Sequence, residues 1–121
     1  MPERRGREHH MQRLADAMRD EIGAILEGEL ADPRVGLASV SEVQWAPDTR
    51  SARVFIAVAG DEKQARETMA GIESAKGFIR HELKDRLQLR HAPELHFLLD
   101  RSEQYGARID QLLERLKKRK G

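Results

Sequence analysis

Apolar side chains recur along this chain at two spacings, and the places where the spacing changes mark its elements. Leu14, Met18, Ile22, Ile25 and Leu26 fall on one face with charges opposite, so residues 8–30 predict an amphipathic helix. Asp32-Pro33-Arg34 stops it, because proline pushes the residue before it out of helical backbone. Val35 to Trp45 reads as a strand, Ala46-Pro47-Asp48-Thr49 as a turn, and Arg53 to Val58 as a second strand. The almost unbroken apolar run of that second strand suits a central position in a sheet. It also puts Phe55 and Ala57 opposite Val54, Ile56 and Val58, on a face more apolar than a fully solvated one should be.

Helical spacing then returns twice in succession. Asp61 is a candidate N-cap for a helix with Ala65, Met69, Ile72 and Ala75 on one stripe. Ile79, Leu83 and Leu87 form a second stripe, and Ala75-Lys76-Gly77 interrupts the two. Gly77, free to take unusual φ/ψ, is expected to end one helix and re-aim the next. Pro93-Glu94 leads into a third strand, Leu95 to Leu99. From Ser102 and Glu103 a last helical segment carries Ile109, Leu112, Leu113 and Leu116 at i, i+3, i+4, i+7.

The order is helix, strand, strand, helix, helix, strand, then a C-terminal helix. A strand that returns after a two-helix crossover joins the same sheet, which gives a two-layer α+β sandwich with helices on one face. The boundaries expected are a flexible basic N-terminus over 1–7, the main domain over 8–100, a C-terminal amphipathic helix over 101–116 and a basic tail over 117–121.

Charge changes this picture only when it is read by position. The formal net charge of the 121 residues is +1. Residues 1–34 hold 6 basic and 8 acidic side chains, residues 35–75 hold 4 and 6, and residues 76–121 hold 12 and 7. The positive charge therefore follows the helix break, as a polyanion partner would require. Lys76, Arg80, Lys84, Arg86 and Arg90 lie there; Arg80 and Lys84 are expected on one face, opposite Ile79, Leu83 and Leu87. A helix N-terminus aimed outward beside such side chains is a plausible seat for phosphates; the plain alternative is a solvated helix corner.

Other chemistry lacks its parts. Cysteine is absent, so disulfides and thiolate metal sites are excluded. His9, His10, His81, His91 and His96 show no i, i+4 pair with a supporting carboxylate, and no metal or cofactor is expected. Glu27, Glu29 and Asp32 are explained by solvation and capping at a helix end. There is no G-x-S-x-G, P-loop or G-x-G-x-x-G, so no enzyme activity and no small-molecule substrate are expected. No apolar run approaches a membrane span, which suggests a soluble, cytoplasmic protein. Trp45 and Phe78 are expected to pack, Trp45 over the core and Phe78 at the break.

The element order is that of the type II K-homology (KH) domain, whose members clamp single strands with a GXXG loop between paired helices. No two glycines here are three apart, and Ala75-Lys76-Gly77 stands at that place. The chain thereby resembles the ribosome-binding factor A family. The resemblance rests on Glu21-Ile22, Asp32-Pro33-Arg34, Pro47-Asp48, Ala75-Lys76-Gly77-Phe78-Ile79-Arg80, Leu89-Arg90, Pro93-Glu94-Leu95 and Arg108-Ile109, in order from about Glu8 to Leu116. It implies a type II KH-like domain with an alanine-centred kink at Ala75 and Gly77, plus a C-terminal helical segment.

The resemblance further implies a non-catalytic monomer that binds the free small (30S) ribosomal subunit. Such a factor assists late maturation of 16S rRNA near its 5′ end and is linked to growth in the cold. Lys76, Arg80, Lys84, Arg86 and Arg90, with Arg34, fall in the part that would meet RNA. Two alternatives stand beside it: a protein-interaction or dimerisation module using the C-terminal stripe, and a DNA-binding helix-turn-helix.

Overall fold

The computed structural model describes residues 2–28, 30, 32–35, 37–48, 50–101, 114, 115 and 117. Among the described residues the delimited elements follow in the order α1 (Pro2–Gly28), β1 (Ala38–Trp45), β2 (Ser51–Val58), α2 (Glu62–Ser74), α3 (Lys76–Arg86) and β3 (Glu94–Leu99). The helix expected over 8–30 thus starts at Pro2, a residue whose missing N–H is no loss in a first turn. The segment 1–7, expected outside the helix, supplies its opening turns from residue 2 onward. The C-terminal helix expected over 101–116 and the tail over 117–121 lie almost wholly outside the described residues, including Ile109, Leu112, Leu113 and Leu116.

The sheet runs β1-β2-β3, with β1 antiparallel and β3 parallel to β2. Val40 pairs with Ile56, Val43 with Val54 and Trp45 with Ala52; on the other side Leu95 pairs with Ala52, Phe97 with Val54 and Leu99 with Ile56. These side chains share one face. It meets Met18, Ile22, Ile25 and Leu26 of α1, Ile72 of α2, and Ile79 and Leu83 of α3 in a single core. α1 lies chiefly on β1 and touches α3, while α2 contacts both β2 and β3. Burying each of the large aliphatic side chains contributes about 1.5–3 kcal/mol, which is why the 3.6-residue stripes face inward.

Register is set by one irregularity. Ser41 is the extra residue of a bulge between Val40 and Glu42, and its hydroxyl lies 2.7 Å from Asp100 Oδ2 and 3.1 Å from the Phe55 carbonyl. Asp100 in turn donates its N–H to the Ile56 carbonyl at 2.7 Å. The hydroxyl and the carboxylate therefore tie β1 to the end of β3 across the central strand. On the outer face Glu42, Phe55 and Leu98 stand in one row, and Leu98 is 40% exposed. The apolar outer face expected from the alternation is present.

Candidate nucleic-acid interface

α2 and α3 are joined by one residue. Asp61 caps α2 with a capping box: its carboxylate accepts the Gln64 N–H, and the Gln64 side chain accepts the Asp61 N–H. Gly60 just before it adopts φ +114°, where a Cβ would collide with Gln64. At the far end Ala75 is at once the C-cap of α2 and the N-cap of α3, at φ −91° and ψ 5°. Its N–H bonds back to Gly71 and Ile72, and its carbonyl accepts the Ile79 N–H. The break is therefore alanine-centred. The expectation for Gly77 is corrected, because it sits inside α3 without a left-handed φ, and a bend of this kind needs no residue freed from steric limits. Phe78, expected to pack at the break, is instead 45% exposed, one position out of step with the buried Ile79.

The cations expected to form one outward face are divided by the fold. Arg80 turns along the sheet edge: its Nε donates to the Pro93 carbonyl at 2.8 Å, its Nη2 to the Ala92 carbonyl at 3.2 Å, and Nη2 lies 3.3 Å from Glu94 Oε1. Arg86 bridges Glu21 of α1 at 3.2 Å and Glu82 of its own helix at 3.1 Å. Lys76 meets Glu73 at 2.5 Å and stands 5.7 Å from the centre of the Phe97 ring, close enough for a cation–π contact. Lys84 and Arg90 are exposed and form no ion pair among the described residues. The joint Arg80–Lys84 face is thus corrected, since buried carbonyls near β3 attract a planar five-donor guanidinium more strongly than open solvent does.

Arg34 serves a different joint. Its guanidinium grips Asp32 through Nε and Nη2, the shortest contact being 2.6 Å, and Nη2 also donates to Ser74 Oγ at 3.0 Å. Thr68 Oγ1 donates to the Arg34 carbonyl at 3.3 Å. Gly71 allows this close approach, for a Cβ there would lie 2.8 Å from Val35 Cγ2. The Arg34 side chain, helped by its own N–H, holds the Asp32 carboxyl down at about 2. The loop after α1 is thereby fastened to α2 beside the hinge.

A second feature lies at the other end of α3. Gln88 takes a left-handed φ of 54°, and the Leu89 N–H bonds to the Lys84 carbonyl while the Gln88 N–H bonds to that of Asp85. This is a Schellman-type stop with glutamine where glycine is usual. It turns the chain so that Leu89, Arg90 and His91 face the β1–β2 turn and Trp45. The Trp45 indole N–H donates to the Met11 carbonyl at 3.1 Å, so the ring packs on α1 as expected. Sequence reasoning missed Arg50, which lines one cleft with Trp45, Arg90 and His91, because nothing in its neighbourhood along the chain signals that placement. A trio of possible metal ligands, His81, Glu82 and Asp85, gathers on exposed α3, but His81 and Asp85 pair with each other and Glu82 is held by Arg86.

A helix, a hairpin, a hinged helix pair and a returning parallel strand, all sharing one core, define the type II KH-like class of α+β domain. The crystal structure of ribosome-binding factor A from Thermus thermophilus superposes with a TM-score of 0.64 at 22% identity, over 74% of this chain and 96% of that one. Coordinates of the Thermus thermophilus factor fitted into the cryo-EM map of a 30S complex give 0.61 at 23% identity, over 74% and 94%. The chain belongs to the ribosome-binding factor A family, whose model matches residues 10–113. Ribosome-binding factor A of Koribacter versatilis is 56% identical over 118 residues, covering 98% of this chain and 96% of the relative. That of Solibacter usitatus is 45% identical over 114 residues, covering 94% and 93%.

Proposed function

We propose that this protein binds the free small (30S) ribosomal subunit in the cytoplasm and assists late maturation of 16S rRNA near its 5′ end. It acts as a monomer and without catalysing a reaction. The observation that carries this reading is family membership over nearly the whole chain, joined to a relative whose coordinates were fitted into a 30S complex. The mechanism is one of differential affinity. A rigid protein that prefers one rRNA conformation shifts the population toward it, and the effect is greatest in the cold, where RNA helices rearrange slowly.

Lys84 and Arg90 supply the phosphate contacts, since their charge is not engaged by carboxylates of the described residues. Lys76 and Arg34 contribute at the hinge while keeping their internal partners, and Arg80 and Arg86 position α3. Sedimenting a lysate through a sucrose gradient tests the reading. The protein is expected with free small subunits and absent from polysomes. Changing Lys84 and Arg90 to glutamate should weaken that association and flatten its salt dependence. Sedimentation with polysomes or with DNA, or no particle association at all, would refute it.

A further inference from the structure

Where the N-terminal half of α1, the β1–β2 turn and the α3–β3 loop converge, the surface opens into a cleft of about 640 Å³. The cleft lies at the opposite end of α3 from the Ala75 hinge. Trp45 lines it with Met11, Leu14, Leu89 and Pro93, and the indole is held in place by its bond to the Met11 carbonyl. Arg50, from the β1–β2 turn, and Arg90 and His91, from the α3–β3 loop, line it as well. Neither arginine forms an ion pair among the described residues, though the Asp48 carboxylate lies near enough to Arg50 to have its pKa lowered in part by that charge, and Glu94, which also lines the cleft, faces Arg80.

The turn and the loop that line the cleft are fixed before any ligand arrives. The Asp48 carboxylate accepts the N–H groups of Arg50 and Ser51 at 2.9 and 3.2 Å, which pins the turn. Arg80 holds the Ala92 and Pro93 carbonyls, and the left-handed Gln88 sets the direction of the loop. The Glu94 N–H donates to the Arg50 carbonyl at 3.1 Å and joins the turn to the start of β3. A volume of this order is typical of small-ligand sites, and the lining combines one large aromatic ring and aliphatic side chains with two arginines.

We propose that this cleft holds one unpaired nucleotide of an RNA strand, its base against Trp45 and its flanking phosphates at Arg50 and Arg90. The inference rests on the reading that the protein binds ribosomal RNA, and names where a single-stranded element of it is held. Bases offer a flat face for such a ring whatever their identity, while phosphates on either side meet the cations. An acidic peptide satisfies the arginines but brings no flat ring to Trp45. Paired bases in a helix cannot turn their faces into a cleft of this shape.

The chain contains one tryptophan, so Trp45 is its own reporter. Titrating the full chain at low salt with an unstructured RNA of about eight nucleotides is expected to change Trp45 emission saturably. Combining Arg50→Ala with Arg90→Ala should weaken that binding about tenfold without altering the circular dichroism spectrum. Arg53→Ala, on the outer sheet face, should leave binding unchanged. A Trp45 signal that ignores single-stranded RNA, in a chain that still sediments with small subunits, overturns the cleft assignment and leaves the proposed function standing. An equal response to fully paired RNA or to polyglutamate also overturns it. Failure of the unaltered chain to sediment with small subunits refutes the proposed function itself, and the RNA titration of the unaltered chain then decides the cleft separately.

Discussion

Arg80 and Arg86 occupy the same helix as Lys84, only turns apart, yet the two groups do opposite work. The arginines spend their charge on the protein: Arg80 on two carbonyls and Glu94, Arg86 on Glu21 and Glu82. Lys84, and Arg90 just beyond the helix, meet no carboxylate among the described residues. The comparison teaches that a segment's net charge fixes a total, whereas nearby acceptors decide how much of it faces outward. A basic third of a chain is therefore a weaker guide to an RNA surface than it looks.

That contrast can be broken most directly by truncation. Arg80→Ala is expected to cost about 1.5–3 kcal/mol in urea unfolding, because it strands the Ala92 and Pro93 carbonyls at the start of β3. Lys84→Ala should stay within about 0.5 kcal/mol of the parent. Equal losses for the two would erase the distinction. The hinge offers a parallel pair of glycines. Gly71→Ala should lose about 1–3 kcal/mol, since the new methyl meets Val35 Cγ2 at 2.8 Å. Gly77→Ala finds nothing within 4 Å and should gain about 0.5–1 kcal/mol.

The smallest effect expected is one of pH. The Arg34 side chain and N–H lower the Asp32 carboxyl from 3.8 to about 2 in the folded protein. A depressed carboxylate stabilises the fold fully above its unfolded value and stops doing so as pH falls through the folded one. The contribution of Asp32 is thus present above about pH 4 and fades toward pH 2. Replacing Asp32 by asparagine should remove that part of the acid dependence, read as the urea midpoint against pH, and leave the rest of the profile unchanged.

Much of the architecture was legible because burial writes a period into the chain. Ile79 and Leu83, or Val54 and Ile56, announce both their element and its inner face, and Asp61 announces a cap. The errors have a common cause. Gly77 signalled permission for an unusual backbone, but the turn at Ala75 needed none. Chemistry alone would pack Phe78, whereas its position one step off the stripe sends it outward. Arg80 finds acceptors twelve and thirteen residues away, and Arg50 lines one cleft with Arg90 although forty residues separate them. Contacts between distant segments leave no local pattern, and those contacts sort the cations.

The Ser41 hydroxyl beside Asp100 has a consequence for the order of assembly. β1 and β2 are neighbours along the chain and zip together through a short turn, but β3 reaches β2 only after both intervening helices have been laid down. Contacts of such long sequence separation carry a loop-closure cost and form late. The Ser41–Asp100 pair, which spans the whole width of the sheet, is then among the last bonds made and the first strained on opening. Ser41→Ala is therefore expected to speed unfolding more than it slows folding, read from the two arms of a urea chevron.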